Sequence, residues 1–314
     1  MGLIKLKNSK TSHSKSSVAL GMFDGVHLGH QEIIKSAVKH AKDKDLISSV
    51  LTFKNHPRSL TINRCPKIIT DFNTRLELFA DLGVEQVLAL DFSLDIMYMS
   101  PGDYLKKYLL DELNVAAISV GYDHHFGKNR EGTPEFLSSW AQSKNVDLTI
   151  IDAFKFEDEL ISSSKIRELI SSGKVDDANK YLGHKFSLAG LVVKGDQRGR
   201  TIGFPTANLK LNEELILPNN GVYLVDAYIR KAVPEDHIWG IAHKALVNIG
   251  YRPSFKTEKV VSIEVHILDF NENIYGEEMK ITFHRKIRNE KKFESVDALI
   301  DQINQDIFSI IRLT

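Results

Sequence analysis

Two domains of different class are predicted: an α/β domain with a parallel sheet over residues 1–183, then an antiparallel β-barrel with a terminal helix over residues 184–314. Three observations predict this. Apolar runs alternate with helical periodicity in the first half, β-branched and aromatic runs follow one another with little helix in the second, and the pattern changes near Gly183.

In the first half the apolar runs are 18–23, 47–53, 86–90, 115–120 and 148–154. Between the first two, Ile33, Ile34, Ala37, Val38 and Ala41 recur at three- and four-residue steps, the period of an amphipathic helix. Leu105, Tyr108, Leu109 and Leu113 repeat that spacing after Pro101, which suits a first helical turn. Strand-helix-strand repetition implies a parallel sheet, and such sheets bind ligands at the carboxyl ends of their strands. In the second half, 187–193, 221–229, 238–247, 260–268 and 279–283 read as strands of an antiparallel barrel or sandwich. Residues 295–312 read as one helix with Val296, Leu299, Ile300, Ile303, Ile307 and Ile310 on a single face.

Composition narrows the function classes. Lys+Arg and Asp+Glu both number 41, so there is no basic excess of the kind a general polyanion binder carries, and no nucleic-acid partner is expected. The single cysteine, Cys65, excludes an internal disulfide or a zinc ribbon and is expected to be inert. No apolar run is long enough to cross a bilayer and the N-terminus is polar and Lys/Ser-rich, so no membrane partner and a cytoplasmic location are expected. An oligomer is possible but not implied.

Two strand-to-helix junctions carry the first candidate site. Asp24-Gly25-Val26-His27-Leu28-Gly29-His30 joins the first strand to a helix, whose N-terminus offers unpaired N–H groups to an anion. His27 and His30 can donate to phosphate oxygens as charge develops, and Gly29 permits close backbone approach. Ile161-Ser162-Ser163-Ser164-Lys165-Ile166-Arg167 follows the fifth strand and adds hydroxyls and two cations. Either fragment alone reads as an ordinary turn or a capping serine. Together, at junctions of one sheet, they point to nucleotide binding. A zinc site is not expected, since no third ligand accompanies the histidines.

These two turns resemble the nucleotidyltransferase module of the bacterial bifunctional riboflavin kinase/FMN adenylyltransferase (FAD synthetase) family, which uses H-x-G-H and I-S-S-T/S-x-x-R turns around ATP. The resemblance implies a Rossmann-like nucleotidyltransferase domain. In it His27 and His30 would act on the α-phosphate, with Gly29, Ser163, Ser164 and Arg167 around the triphosphate. Two stretches depart from the family pattern. Thr52-Phe53-Lys54-Asn55-His56-Pro57 has Asn55 in place of proline, and Gly121-Tyr122-Asp123-His124-His125-Phe126-Gly127 has His124 in place of an aromatic residue. The second stretch implies flavin contacts from Asp123, His124 and Phe126. An imidazole there still stacks but is smaller and ordinarily titrates near neutral pH, so weaker or pH-dependent flavin binding is expected.

The second half begins with a glycine-rich stretch, Gly195 to Asn208. Its Gly195-x-x-x-Gly199-Arg200-Thr201 is one residue short of a P-loop and has arginine for the essential lysine, so a P-loop is rejected while a phosphate nest is not. Thr206 and Asn208 lie on one side of an extended chain and offer neutral oxygens of the kind Mg²⁺ accepts when substrate phosphates complete its shell, though by themselves they read as a plain turn bonding its own backbone. Gly199-Arg200-Thr201-Ile202-Gly203-Phe204-Pro205-Thr206-Ala207-Asn208 resembles the riboflavin kinase signature G-R-x-x-G-F-P-T-A-N. So do the loop Asn248 to Phe255, the segment Glu264 to Phe270 with Tyr275-Gly276, and Ile287-Arg288-x-Glu290-x-Lys292-Phe293.

The resemblance covers residues 18–308. It implies Gly195, Gly199 and Arg200 at ATP phosphates, Thr206 and Asn208 as magnesium ligands, Glu264 as general base, and Asn248 and Arg288 at the flavin. The substrates and products would be riboflavin, FMN, ATP and FAD. The alternatives are a kinase with weak or reduced-flavin-dependent adenylyl transfer, or a flavin-binding regulator without turnover. Of the remaining features, the basic run 284–292 reads as a solvated strand end, and Phe72, Phe79, Phe92 and Phe136 read as core.

Overall fold

Strands and helices alternate along the first half as its periodicity requires. The computed structural model describes residues 2–6, 14–55, 65–195, 198–231, 239–252 and 260–311. His56, Pro57, Asp196, Gln197, Ile238, Pro253, Ser254 and Phe255 lie outside the described residues. In chain order the first half contains β1 (Gly2–Lys5), β2 (Ser16–Leu20), α1 (Leu28–Asp43), β3 (Ile47–Phe53), α2 (Phe72–Asp81), β4 (Gln86–Leu90), α3 (Leu94–Met97) and α4 (Pro101–Tyr104). A π-helical segment, Leu105–Glu112, continues α4. Then come β5 (Val115–Gly121), α5 (Pro134–Lys144), β6 (Asp147–Ile151), the short hairpin β7 (Lys155–Phe156) and β8 (Glu159–Leu160), α6 (Ser163–Ser171) and α7 (Val175–Leu182).

The sheet order is β1-β4-β3-β2-β5-β6, parallel except for β1, which lies antiparallel on β4. The chain leaves β2 to one side for β3 and β4 and to the other for β5 and β6. The carboxyl end of β2 is therefore the topological switch point, where open α/β sheets bind ligands. All five residues of β2 are buried, as a central strand covered on both faces must be. Ile33, Ile34, Ala37, Val38 and Ala41 of α1 are buried together, the face the spacing predicts. The edge strand β1 arises from a segment whose polar character gives no strand signal.

The second half contains β9 (Ser187–Val193), the single turn α8 (Arg198–Thr201), β10 (Ala207–Lys210), β11 (Gly221–Arg230), β12 (His243–Arg252), β13 (Val260–Ile267), β14 (Glu278–Arg288) and α9 (Val296–Ile311). Six strands close an antiparallel barrel in the order β10-β13-β12-β11-β14-β9, which decides for a barrel over a sandwich. Tyr223, Val225, Val247, Val265, Ile281 and Phe283 fill its interior. Two strand boundaries differ from those expected. β12 starts at His243 and runs through Asn248-Ile249-Gly250, which the resemblance placed in a loop, because each of these pairs with β13. β14 runs on to Arg288, so the basic run is mostly paired strand.

The chain divides into two compact units, Met1–Ser163 and Ser164–Thr314. That division falls before the change of sequence pattern at 183, and α7 is held by the barrel. Asn179 on α7 donates to the Phe283 carbonyl at 2.9 Å and accepts the Phe186 N–H at 2.7 Å. Of the four phenylalanines expected in the core, Phe79 is fully buried and Phe72 and Phe92 pack partly buried against apolar clusters. Phe136 is 39% exposed, touching the Phe126 ring edge-on from the start of α5.

Candidate functional site

In the first unit the turn after β2 is built under strain. Phe23 and Val26 have φ of +52° and +41°, a region that β-branched and bulky residues rarely occupy, with Gly25 at +84° between them. The turn delivers His27 to the N-cap of α1, where its Nδ1 accepts the His30 N–H at 3.3 Å, leaving Nε2 as the proton-bearing nitrogen of the neutral ring. The His27 and His30 rings stack with centroids 3.5 Å apart, and the Phe23 ring stands edge-on to His30. A Cβ at Gly29 would lie in ordinary contact, 3.4 Å from the His27 ring and 3.5 Å from Phe154 Cβ, at the helix end whose N–H groups suit an anion. Ser163 Oγ donates to the Asp24 carbonyl at 3.2 Å, joining the serine-rich turn to the histidine turn across 139 residues of sequence. Ser164 and Arg167, next on α6, belong to the second unit.

Asp24 is buried and structural: its Oδ1 accepts the N–H groups of Ile69 at 2.9 Å and Thr70 at 3.2 Å. Asn55, the departure from proline, clips the segment beyond β4. Its carboxamide donates to the Phe92 carbonyl at 3.1 Å and accepts the Phe92 N–H at 2.7 Å. A backbone restraint imposed by proline is thus replaced by a reciprocal hydrogen-bonded one.

After β5, Tyr122 and Asp123 are exposed, while Phe126 is buried in the apolar cluster beside Tyr104. His124 stacks on Phe126 with centroids 5.6 Å apart and 28° between planes, the arrangement an aromatic residue would give. Burial, reinforced by neighbouring His125, pushes the His124 imidazole down from its ordinary value to about 4. The expectation of a charge change near neutral pH is thereby corrected, because the ring's surroundings are too poor in water to hold the imidazolium. Folding opposes protonation of this ring, so it costs nothing above pH 6.5, and stability declines as pH falls from 6.5 to about 4. A histidine-resolved NMR titration is expected to show His124 unchanged between pH 6 and 8; an inflection in that range would contradict this assignment.

In the second unit the barrel register assembles the site. Asn208 on β10 faces Glu264 on β13, Glu264 faces Asn248 on β12, Asn248 faces Val222 on β11, and Val222 faces Arg288 on β14. Directly paired residues project from the same face, so these form one row across five strands. Glu264 and Arg288 stand three strand spacings apart, roughly 14 Å along the wall. A cavity of about 580 Å³ lies against that row. Thr206, Asn248, Glu264 and Arg288 provide polar groups, and Val296, Leu299 and Ile303 of α9 provide an apolar wall. Ser262 Oγ donates to Glu264 Oε1 at 2.9 Å. A second cavity, of about 370 Å³, is lined by Arg200, Thr206, Phe270 and Tyr275, so Thr206 borders both.

The glycine-rich stretch is shaped by the same residues. A Cβ on Gly195 would lie 2.1 Å from Asn208 Nδ2, so the carboxamide occupies the space that only glycine leaves. A Cβ on Gly199 would meet the Phe204 carbonyl at 2.3 Å. Thr206 and Asn208 are hard, neutral oxygen donors beside a carboxylate, a set that fits Mg²⁺ arriving with nucleotide phosphates. Among the described residues no group of three His, Cys, Asp or Glu forms a resident metal site.

On the helices, two buried charges escape a motif-based reading. Asp306 on α9 is 4% exposed and accepts Arg288 Nε at 2.8 and 3.1 Å, fixing the arginine at the cavity. Arg75 on α2 is 1% exposed. Each sits on its helix's apolar stripe, Asp306 three residues after Ile303 and Arg75 three after Phe72. A charge at a core-facing position is the signal that finds such residues.

Comparisons with known proteins agree with this architecture. Residues 9–165 match the family model described as FAD synthetase, and residues 182–313 match the riboflavin kinase family. A bifunctional riboflavin kinase/FMN adenylyltransferase from Listeria monocytogenes is 39% identical over 92% of this chain and 89% of its own. The protein of that name from Bacillus subtilis is 38% identical over 96% and 94%, and that from Escherichia coli 32% over 92% and 90%. A crystal structure from Streptococcus pneumoniae, called a macrolide-efflux protein, superposes with a TM-score of 0.82 at 34% identity, covering 96% of this chain and 95% of that one. Among the described residues no helix of this chain is long and apolar enough to cross a membrane. With both halves matched and full-length relatives above 30% identity, the chain belongs to the bifunctional riboflavin kinase/FMN adenylyltransferase family.

Proposed function

We propose that this chain makes FMN and then FAD at two separate sites, the barrel acting first. The observation that carries the reading is the row Asn208–Glu264–Asn248–Val222–Arg288, polar but for Val222 and faced by an apolar helix. A flavin has this dual character, with an apolar ring system and a hydroxylated ribityl chain. Riboflavin occupies the larger cavity, with Asn248 and Arg288 as polar partners, and ATP the smaller one. Gly195, Gly199 and Arg200 lie along the phosphates, and Thr206 and Asn208 hold Mg²⁺, which offsets phosphate charge when bound. Glu264 takes the proton of the ribityl 5′-hydroxyl as that oxygen attacks the γ-phosphate and ADP leaves.

In the first unit the FMN phosphate attacks the α-phosphate of a second ATP, and pyrophosphate leaves. His27 and His30 donate to the charge developing there, while Gly29 and Ser163 hold the phosphate chain. Asp123 and His124 contact the flavin, and buried Phe126 supports the His124 ring from behind. On this reading the functional boundary lies at 183/184; the first family match ends at 165 and the second begins at 182. The enzyme works in the cytoplasm on small molecules, without a nucleic-acid or membrane partner.

Gly195→Ala tests the kinase assignment. The added methyl displaces Asn208, so FMN formation should need roughly tenfold more Mg²⁺, while FAD formation from supplied FMN stays unchanged. An unaltered Mg²⁺ requirement would remove Asn208 from the metal site.

A further inference from the structure

We propose that Arg75 is a positioning residue for adenylyl transfer, clamping the strained turn that presents His27 and His30. The proposal rests on the assignment of those histidines to the transfer site. Arg75 Nη1 donates to the Met22 carbonyl at 2.9 Å and to Thr52 Oγ1 at 3.3 Å, and Nη2 donates to the Lys54 carbonyl at 3.0 Å. Thr52 Oγ1 donates to the same Met22 carbonyl at 3.0 Å. One planar fork therefore ties the chain as it leaves β2 to the chain as it leaves β3. Met22 immediately precedes Phe23 and Asp24, where the strained turn begins.

Backbone in such a conformation persists only where its surroundings over-determine it. Here the restraints are countable. Arg75 and Thr52 hold Met22; Asp24 Oδ1 is held by the Ile69 and Thr70 N–H groups; Gln31 Nε2 donates to the Val26 carbonyl at 3.0 Å. Arg75 is the cationic member of this set. Desolvation lowers its guanidinium to about 10, opposed by the charges of Asp24 and Asp71, so it stays charged at neutral pH. Its Nε is buried with no hydrogen-bond partner. A leucine on this apolar face would fill the space without that desolvation cost. The fork geometry and the neighbouring strain explain why an arginine stands there.

The guanidinium is fully covered by protein, so its effect on the reaction passes through the turn. Misplacing a reacting group by about 1 Å costs on the order of 100-fold in rate. Lysine keeps the charge but loses the fork, so Arg75→Lys should lower kcat for FAD formation from FMN and ATP about 100-fold. KM for both substrates should stay within about twofold, since the groups that touch them remain. FMN formation from riboflavin, measured in the same preparation, should be unchanged. Thr52→Val is nearly isosteric and removes one restraint on Met22. It should lower kcat roughly tenfold at unchanged KM, and it carries the test if Arg75→Lys loses its cooperative unfolding transition. Wild-type kcat in a folded Arg75→Lys or Thr52→Val protein would overturn the proposal, as would KM values that rise in step with the loss. His30→Ala is measured alongside. If it abolishes FAD formation while the clamp variants do not, the clamp is wrong and the site assignment stands. If His30→Ala is itself active, the site assignment fails.

Discussion

Glu264→Gln is expected to cut FMN formation from riboflavin by about 10²–10⁴-fold, the usual contribution of a positioned general base. Glutamine keeps the size and polarity of the side chain and can still accept from Ser262, but it cannot take a proton from the ribityl hydroxyl. The loss should appear in kcat, with riboflavin binding by fluorescence quenching little changed, because Asn248, Arg288 and the α9 wall of the cavity remain. FAD formation from supplied FMN should continue at the wild-type rate. A kinase-active Glu264→Gln protein would mean that the hydroxyl proton leaves by another route, and Glu264 would then be no more than a strand residue facing Asn208 and Asn248.

His30→Ala is expected to give the mirror image. Removing one donor aimed at developing negative charge typically costs about 10²–10³-fold, so FAD formation should fall by that factor while FMN accumulates from riboflavin. The substitution also removes the ring stacked on His27, but the His27 cap accepts the residue 30 backbone N–H, which alanine retains. The helix start should therefore survive. Mixing the two variants supplies a joint check: FMN released by His30→Ala should be converted to FAD by Glu264→Gln. FAD from neither the mixture nor Glu264→Gln with added FMN would place the two reactions at one shared site.

Much of this arrangement was legible in the residues. The five strands of the parallel sheet and the buried face of α1 follow from periodicity, because a doubly covered sheet demands continuous apolar strands. The glycine-rich stretch and the paired histidines were visible because close approach and phosphate chemistry restrict the residue types. What stayed hidden depends on long-range pairing. β10 is four residues long and gains its meaning from register, since nothing local says that Asn208 faces Glu264. The strand character of Asn248–Gly250 is hidden by a glycine that looks like a loop signal. A Cβ there would lie 2.5 Å from Glu290 Oε1, the movable end of a long side chain, so the glycine marks close packing within a paired strand. His124 shows the same limit for electrostatics. Its residue type implies titration near neutrality, and only the packing around it moves the value to about 4. Arg75 and Asp306 were missed because a charge on an apolar helical stripe weakens the pattern that defines the stripe, and its partners lie on other elements.

The most direct test of two consecutive activities in one chain is chromatography of the flavins formed from riboflavin, ATP and Mg²⁺ over time. FMN should appear first without a lag, and FAD should follow after one, rising as FMN declines. Riboflavin held by the protein but never converted, with ATP and Mg²⁺ present, would contradict the account and leave a flavin-binding protein with the fold of an enzyme.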